Sequence, residues 1–212
     1  MKIRKLALLL SALWLQPAAA QATTTPGPGP QELMQKAAQQ LLDALEADRE
    51  LYRKEPRRVN ALVDQILLPH FDSQYSAQLV LGTHWRAASA EQRQRFIEAF
   101  YHSLLNKYGA ALAGFTSDRM TILPFRGDLS TGRATVKTEV TLDDGTRVPV
   151  AYSMRATPQG WKAWDVTIEG ISYVKNFRVD IGSEVDQRGL DAVIERLEAE
   201  ARGDHVAAAA PR

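Results

Sequence analysis

The chain has 212 residues, 26 Lys and Arg against 25 Asp and Glu, 45% hydrophobic residues and no cysteine, which describes one globular domain of ordinary size. A formal charge of +1 excludes the concentrated Lys and Arg excess with which a nucleic-acid binder neutralises phosphates. The absence of cysteine excludes disulfides, thiol nucleophiles and cysteine metal sites.

The chain opens with Lys2, Arg4 and Lys5, an apolar run from Leu6 to Leu15, and Ala18, Ala19 and Ala20 before Gln21. This pattern predicts a secretory signal peptide over 1–20. The run breaks at Gln16 and Pro17, short of the about 18 apolar residues that a membrane anchor needs. Removing 1–20 takes away three positive charges and leaves 23 basic and 25 acidic groups, a net charge of −2. With no cysteine to acylate, a soluble exported protein is expected, in the periplasm if the source is a Gram-negative bacterium.

Residues 21–30, which end in alternating Pro and Gly, read as a flexible leader to a single domain over 31–201. From Leu33 to Tyr52 apolar residues recur at three- and four-residue steps, predicting one helix of about 20 residues that ends near Lys54, ahead of Pro56. Val59, Leu62, Val63, Ile66 and Leu67 repeat the spacing in a shorter helix closed by Pro69. Asp72 is placed to cap a third, which carries Tyr75, Leu79 and Val80 and stops at Gly82. Ser89 with Gln92 fits a capping box, and a wide stripe of Phe96, Ile97, Phe100, Tyr101, Leu104, Leu105 and Tyr108 follows.

Beyond Asp118 the period changes from 3.6 to 2. A strand is expected over Met120 to Phe125, then Ala134, Val136, Thr138, Val140 and Leu142 share one face. Asp144 and Gly145 make a hairpin turn into a strand whose inner face is Val148, Val150, Tyr152 and Met154. A fourth strand runs from Trp161 to Glu169. There Trp161 and Ala163 have one parity while Trp164, Val166 and Ile168 have the other, so either both faces are covered or a bulge intervenes. A final helix is expected over Asp186 to Ala201, and 202–212 read as a loose tail. The order is that of an α+β fold: about four antiparallel strands in a curved sheet, covered by several helices.

The chemistry is sparse. His70, His84, His102 and His205 have no metal-site spacing, and neither a nucleophile elbow nor a phosphate-binding loop occurs. Asp165 is either a structural carboxylate or a general base, and Arg86, Arg93, Arg95, Lys175 and Arg178 are candidates to attract a phosphate at a cavity mouth.

Two blocks carry a resemblance. The first is Leu81-Gly82-Thr83-His84-Trp85-Arg86 with Ala88-Ser89, Glu91-Gln92-Arg93 and the ladder Phe96, Phe100, Leu104 and Tyr108. The second is Trp161-Lys162-Ala163-Trp164-Asp165-Val166 with Ile168-Glu169-Gly170-Ile171-Ser172 and Asn176-Phe177-Arg178. Together they resemble the MlaC-like family of periplasmic phospholipid-binding proteins, also known as toluene-tolerance auxiliary components, over residue 31 to about 200. Phe177, Trp164 and Ile181 depart from the usual Tyr, Tyr and Phe.

The resemblance implies an NTF2-like sheet with helical cover that encloses an apolar cavity for phospholipid acyl chains. It implies no cofactor, phospholipid as cargo, and no catalysis. It also implies exchange with an outer-membrane lipoprotein–porin complex and with the substrate-binding subunit of an inner-membrane ABC lipid transporter, by a monomer that keeps outer-membrane lipid asymmetry. The expected cavity walls are Leu81, Trp85, Phe100, Leu104, Val136, Val140, Val150, Tyr152, Met154, Val166 and Ile168, with Arg86, Lys175 and Arg178 near the headgroup. Two other readings stand beside this one. One is a small isomerase or dehydratase that uses Asp165 or Glu169 as a base beside Tyr152, and the other is an adaptor that binds only protein.

Overall fold

A computed structural model describes residues 27–204. The expected signal peptide, most of the leader and the tail from 205 onward lie outside these residues. Pro30 begins α1 (Pro30–Ala47), whose φ it presets at the first helical position. The expected single helix is instead two, because the backbone leaves helical geometry at Asp48 (φ −142°) before α2 (Arg49–Lys54). The next helices are α3 (Val59–Ile66), α4 (Ser73–Leu81), the short α5 (His84–Ala87) and α6 (Ala90–Tyr108). Asp72 caps α4 by accepting the Tyr75 N–H, and Ser89 and Gln92 form the capping box of α6.

The strands are β1 (Met120–Ile122), β2 (Arg133–Thr141), β3 (Arg147–Thr157), β4 (Gly160–Ile168) and β5 (Ile171–Ser172). They form one antiparallel meander in chain order, one strand more than expected. The added strand follows a two-residue turn in which Glu169 (φ 50°) and Gly170 (φ 83°) are both left-handed, the backbone signature of a type I′ hairpin.

The parity conflict in β4 resolves as a bulge. Ser153 pairs with Asp165 whereas Met154 pairs with Ala163, which leaves Trp164 as the extra residue. Helix α4 seals that edge: the Asp72 N–H donates to the Ala163 carbonyl (2.7 Å) and the Ser76 hydroxyl to the Trp164 carbonyl (2.5 Å).

The last helical region also differs from expectation. It contains α7 (Tyr173–Arg188) and α8 (Leu190–Arg202), separated at Gly189. Three apolar clusters hold the fold. Phe96, Leu81, Val80, Ile181, Val193 and Ile194 join α4, α6, α7 and α8; Leu41, Leu45, Val59, Val63 and Leu105 join α1, α3 and α6. Leu33, Ala134, Val136, Met154 and Ala163 plug one end of the inner sheet face.

Candidate functional site: an apolar cavity

The inner face of the sheet is solid at one end and hollow at the other. Beyond the plug the space between sheet and helices is a cavity of about 520 Å³. Its floor is Ile122, Thr138, Val140, Val150, Tyr152, Val166 and Ile168. These fall on one side because residues two apart along a strand share a face, and the bulge restores that parity in β4 after Ala163. Helix α1 supplies Met34, Ala38, Leu41 and Leu42; α6 supplies Ile97, Phe100, Tyr101, Leu104 and Tyr108; the start of α7 supplies Tyr173, Val174 and Phe177.

A row of aromatic rings leads outward along one wall. Phe96 stacks on Phe100 (5.5 Å), Phe100 meets Phe177 edge-on (5.3 Å), and Phe177, Tyr173 and Tyr108 follow at 6.0 Å intervals. Phe96 is fully buried while Tyr108 is 40% exposed. Tyr108 and Ala111 are the exposed members of the lining, so the mouth lies where α6 ends. Lys107 holds its ammonium 5.4 Å from the Tyr108 ring centroid.

Asp165 and Thr138 in the lining are already engaged, whereas the buried Tyr101 hydroxyl has no hydrogen-bond partner. Asp165, 4% exposed, accepts the Ser172 hydroxyl (2.6 Å) and the Val174 N–H (3.0 Å), which ties the start of α7 to β4. Thr138 donates to the Val150 carbonyl (3.4 Å), and burial pushes the Tyr152 phenol above its usual range, partly countered by the Thr138 hydroxyl. Tyr101 is raised by burial first and then by the neighbouring Asp64 carboxylate. Glu169 is exposed in its turn, away from Tyr152. No group of three or more His, Asp or Glu gathers into a metal-holding cluster among the described residues.

Of the eleven residues expected as walls, Phe100, Leu104, Val140, Val150, Tyr152, Val166 and Ile168 line the cavity. Four do not. Val136 and Met154 share the right face but lie in the plugged end, and Leu81 is sealed among α4, α6, α7 and α8. Trp85 packs against that helical cluster, under the guanidinium of Arg93 (5.2 Å), which also donates to the Trp85 carbonyl (2.9 Å).

The expected mouth cations are also elsewhere. Arg178 lies against the turn at Gly82, about 3.1 Å from where a β-carbon would stand. Arg86 is exposed on α5 and Lys175 on the outer side of the first turn of α7, and neither lines the cavity. Arg95 is committed to Glu198 by two bonds of 2.9 and 3.0 Å. Sequence reasoning missed the contribution of α1 and the position of Lys107. The signal for the latter is its place beside Tyr108 in the last turn of the aromatic helix.

The sequence model of the family described as MlaC protein matches residues 35–199. The chain belongs to the MlaC family. Both motif blocks fall inside the match. Among the family's relatives, the toluene tolerance protein Ttg2D of Pseudomonas putida is 31% identical over 189 residues, covering 89% of this chain and 84% of that one. The intermembrane phospholipid transport system binding protein MlaC of Haemophilus influenzae is 23% identical over 172 residues, 80% of each chain. A solved structure of a phospholipid-binding protein from Ralstonia solanacearum, in complex with a phospholipid, shares the fold with a TM-score of 0.76 at 24% identity. It covers 83% of this chain and 98% of that chain.

Proposed function

We propose that the protein is a phospholipid carrier of the periplasm, which shields acyl chains in its cavity and moves lipid between membrane complexes. The observation that carries this reading is the cavity itself: about 520 Å³ walled by aliphatic and aromatic side chains, with its one carboxylate bonded to Ser172 and Val174. Exposing acyl chains to water costs about 0.8 kcal/mol per methylene, so two chains of roughly 30 methylenes cost on the order of 20 kcal/mol. A bare lipid therefore does not cross an aqueous gap at a useful rate. A carrier needs an apolar lining, an accessible mouth and no reaction chemistry.

The Haemophilus relative, a phospholipid transport binding protein, and the Ralstonia structure, a phospholipid-binding protein in complex with a phospholipid, support the same cargo. In this reading lipid passes between an outer-membrane lipoprotein–porin complex and the substrate-binding subunit of an inner-membrane ABC transporter, which maintains outer-membrane asymmetry. No described helix is long and apolar enough to cross a membrane, and the expected signal peptide supports export. An enzymatic role for Asp165 has little support, because both of its oxygens hold the start of α7 and Glu169 faces solvent.

The test is organic extraction of the exported protein followed by lipid mass spectrometry, together with uptake from phospholipid vesicles. The expected result is co-purified phospholipid. Lipid-free protein that also takes up none from vesicles overturns the reading.

A further inference from the structure

Four buried side-chain polar atoms lack a hydrogen-bond partner among the described residues, and three of them gather at one seam of the cavity wall. They are the Asn60 and Asp64 oxygens (Oδ1), one turn apart on α3, and the Tyr101 hydroxyl on α6, beside Asp64. The fourth, Trp164 Nε1, belongs to the β4 bulge. Leu67, at the end of α3, and Tyr101 both line the cavity, so the seam is a stretch of its wall.

Neighbouring helices are fastened. Asp165 ties α7 to β4 with two bonds, Asp72 and Ser76 tie α4 to the same strand, and Gln92 and Arg95 tie α6 to Asp191 and Glu198 of α8. Helix α3 instead hangs between two 3-10 turns, Pro56–Arg58 and Leu68–His70. Among the described residues its one side-chain hydrogen bond to α6 runs from the Asn60 amide to Asn106 (2.8 Å). Val59 and Val63 favour the closed seam by packing against Leu41, Leu45 and Leu105, whereas three polar atoms stripped of water oppose it. Parting admits water to all three. A wholly apolar seam has no such compensation.

We propose that α3 is a side gate of the cavity, swinging on its two flanking turns away from Tyr101 so that acyl chains enter and leave between α3 and α6. The inference rests on the carrier reading above. The gate adjoins the mouth. The Asn60 amide oxygen lies against Gly109, the residue at which α6 ends, and a β-carbon there would collide with it. Opening therefore widens the mouth sideways, and a lipid need not thread its chains end-on.

The experiment follows uptake of a phosphatidylglycerol with a fluorescent acyl chain from vesicles, by stopped-flow fluorescence. Asn60→Cys with Asn106→Cys staples α3 to α6 in a chain that has no other cysteine. The oxidised protein is expected to load at least about tenfold more slowly than the same protein reduced. Equal rates overturn the gate and leave the carrier reading standing, whereas a parent that loads nothing overturns both. A second variant, Asp64→Leu with Tyr101→Phe, removes two of the orphaned atoms and needs no oxidation. It is expected to raise the urea midpoint and to slow uptake several-fold, because an apolar seam stays shut. Uptake at the parental rate or faster contradicts the gate.

Discussion

Asp165 and Ser172 face each other at 2.6 Å across the β4–β5 hairpin, the hydroxyl donating to the carboxylate. The second oxygen takes the Val174 N–H at 3.0 Å, so one buried side chain fixes the entry angle of α7 to the sheet. Asp165→Ala leaves buried donors unpaired, at a cost of about 2–4 kcal/mol in unfolding free energy. Asp165→Asn, which keeps an acceptor, should cost less. Urea denaturation of both variants checks the order, and equal stability of Asp165→Ala and the parent shows that the bonds contribute nothing.

The hollow and plugged ends of the sheet predict opposite consequences for similar residues. Val150→Glu places a carboxylate on the cavity floor and should abolish lipid loading. Val136→Ala, in the plugged end, should lower stability by about 1–3 kcal/mol and leave loading at the parental level. Lipid quantified per mole of folded protein separates the two, and parental loading of Val150→Glu shows that the floor is assigned wrongly.

Most of this architecture is legible in the sequence. The capping box at Ser89, the cap at Asp72, the Asp144-Gly145 turn and the parity of β2 and β3 all follow from local chemistry. What is hidden is whatever depends on packing along an element rather than across it. Val136 and Val140 have the same parity and the same residue type, yet one is core and the other floor, because Leu33 reaches the first and the second faces open space. Helix α7 escapes notice although Val174, Phe177, Ile181 and Val185 keep helical spacing, since Gly182 and the exposed Val179 (70%) blur its faces. The missing strand β5 is only two residues long.

At the mouth, Lys107 is the cation beside the exposed Tyr108. Lys107→Glu should weaken loading of anionic phospholipid a few-fold at low salt, on the order of 0.5–1 kcal/mol, with the difference shrinking as salt screens it. Vesicle uptake at two ionic strengths measures this. A difference that does not depend on salt contradicts an electrostatic role.

The hairpin turn offers a gain in stability. Glu169 stands at φ 50°, where a side chain without local hydrogen bonding is strained. Glu169→Asn supplies the Asn-Gly pair that this turn type favours, and should raise stability by about 0.5–1 kcal/mol. A shift of the denaturation midpoint to higher urea checks it.

Burial first, and the nearby Lys162 ammonium second, hold the His70 imidazole below its ordinary value of 6.5. The unfolded chain therefore binds the proton at a higher pH than the folded one. The resulting stability is present in full above about 6.5 and is lost as the pH falls through that value toward the folded pKa. NMR titration should place His70 below 6.5, and His70→Gln should flatten the stability profile in that window.

The central claim is that the hollow half of the sheet face holds phospholipid. Native mass spectrometry of the exported protein, recorded beside Val150→Glu, tests it most directly. The account predicts that the parent carries an adduct with the mass of a phospholipid, released on collisional activation, and that the variant carries none while keeping its helical circular dichroism. An adduct of equal occupancy on both proteins, or a parent that is bare as isolated and stays bare after incubation with vesicles, contradicts it.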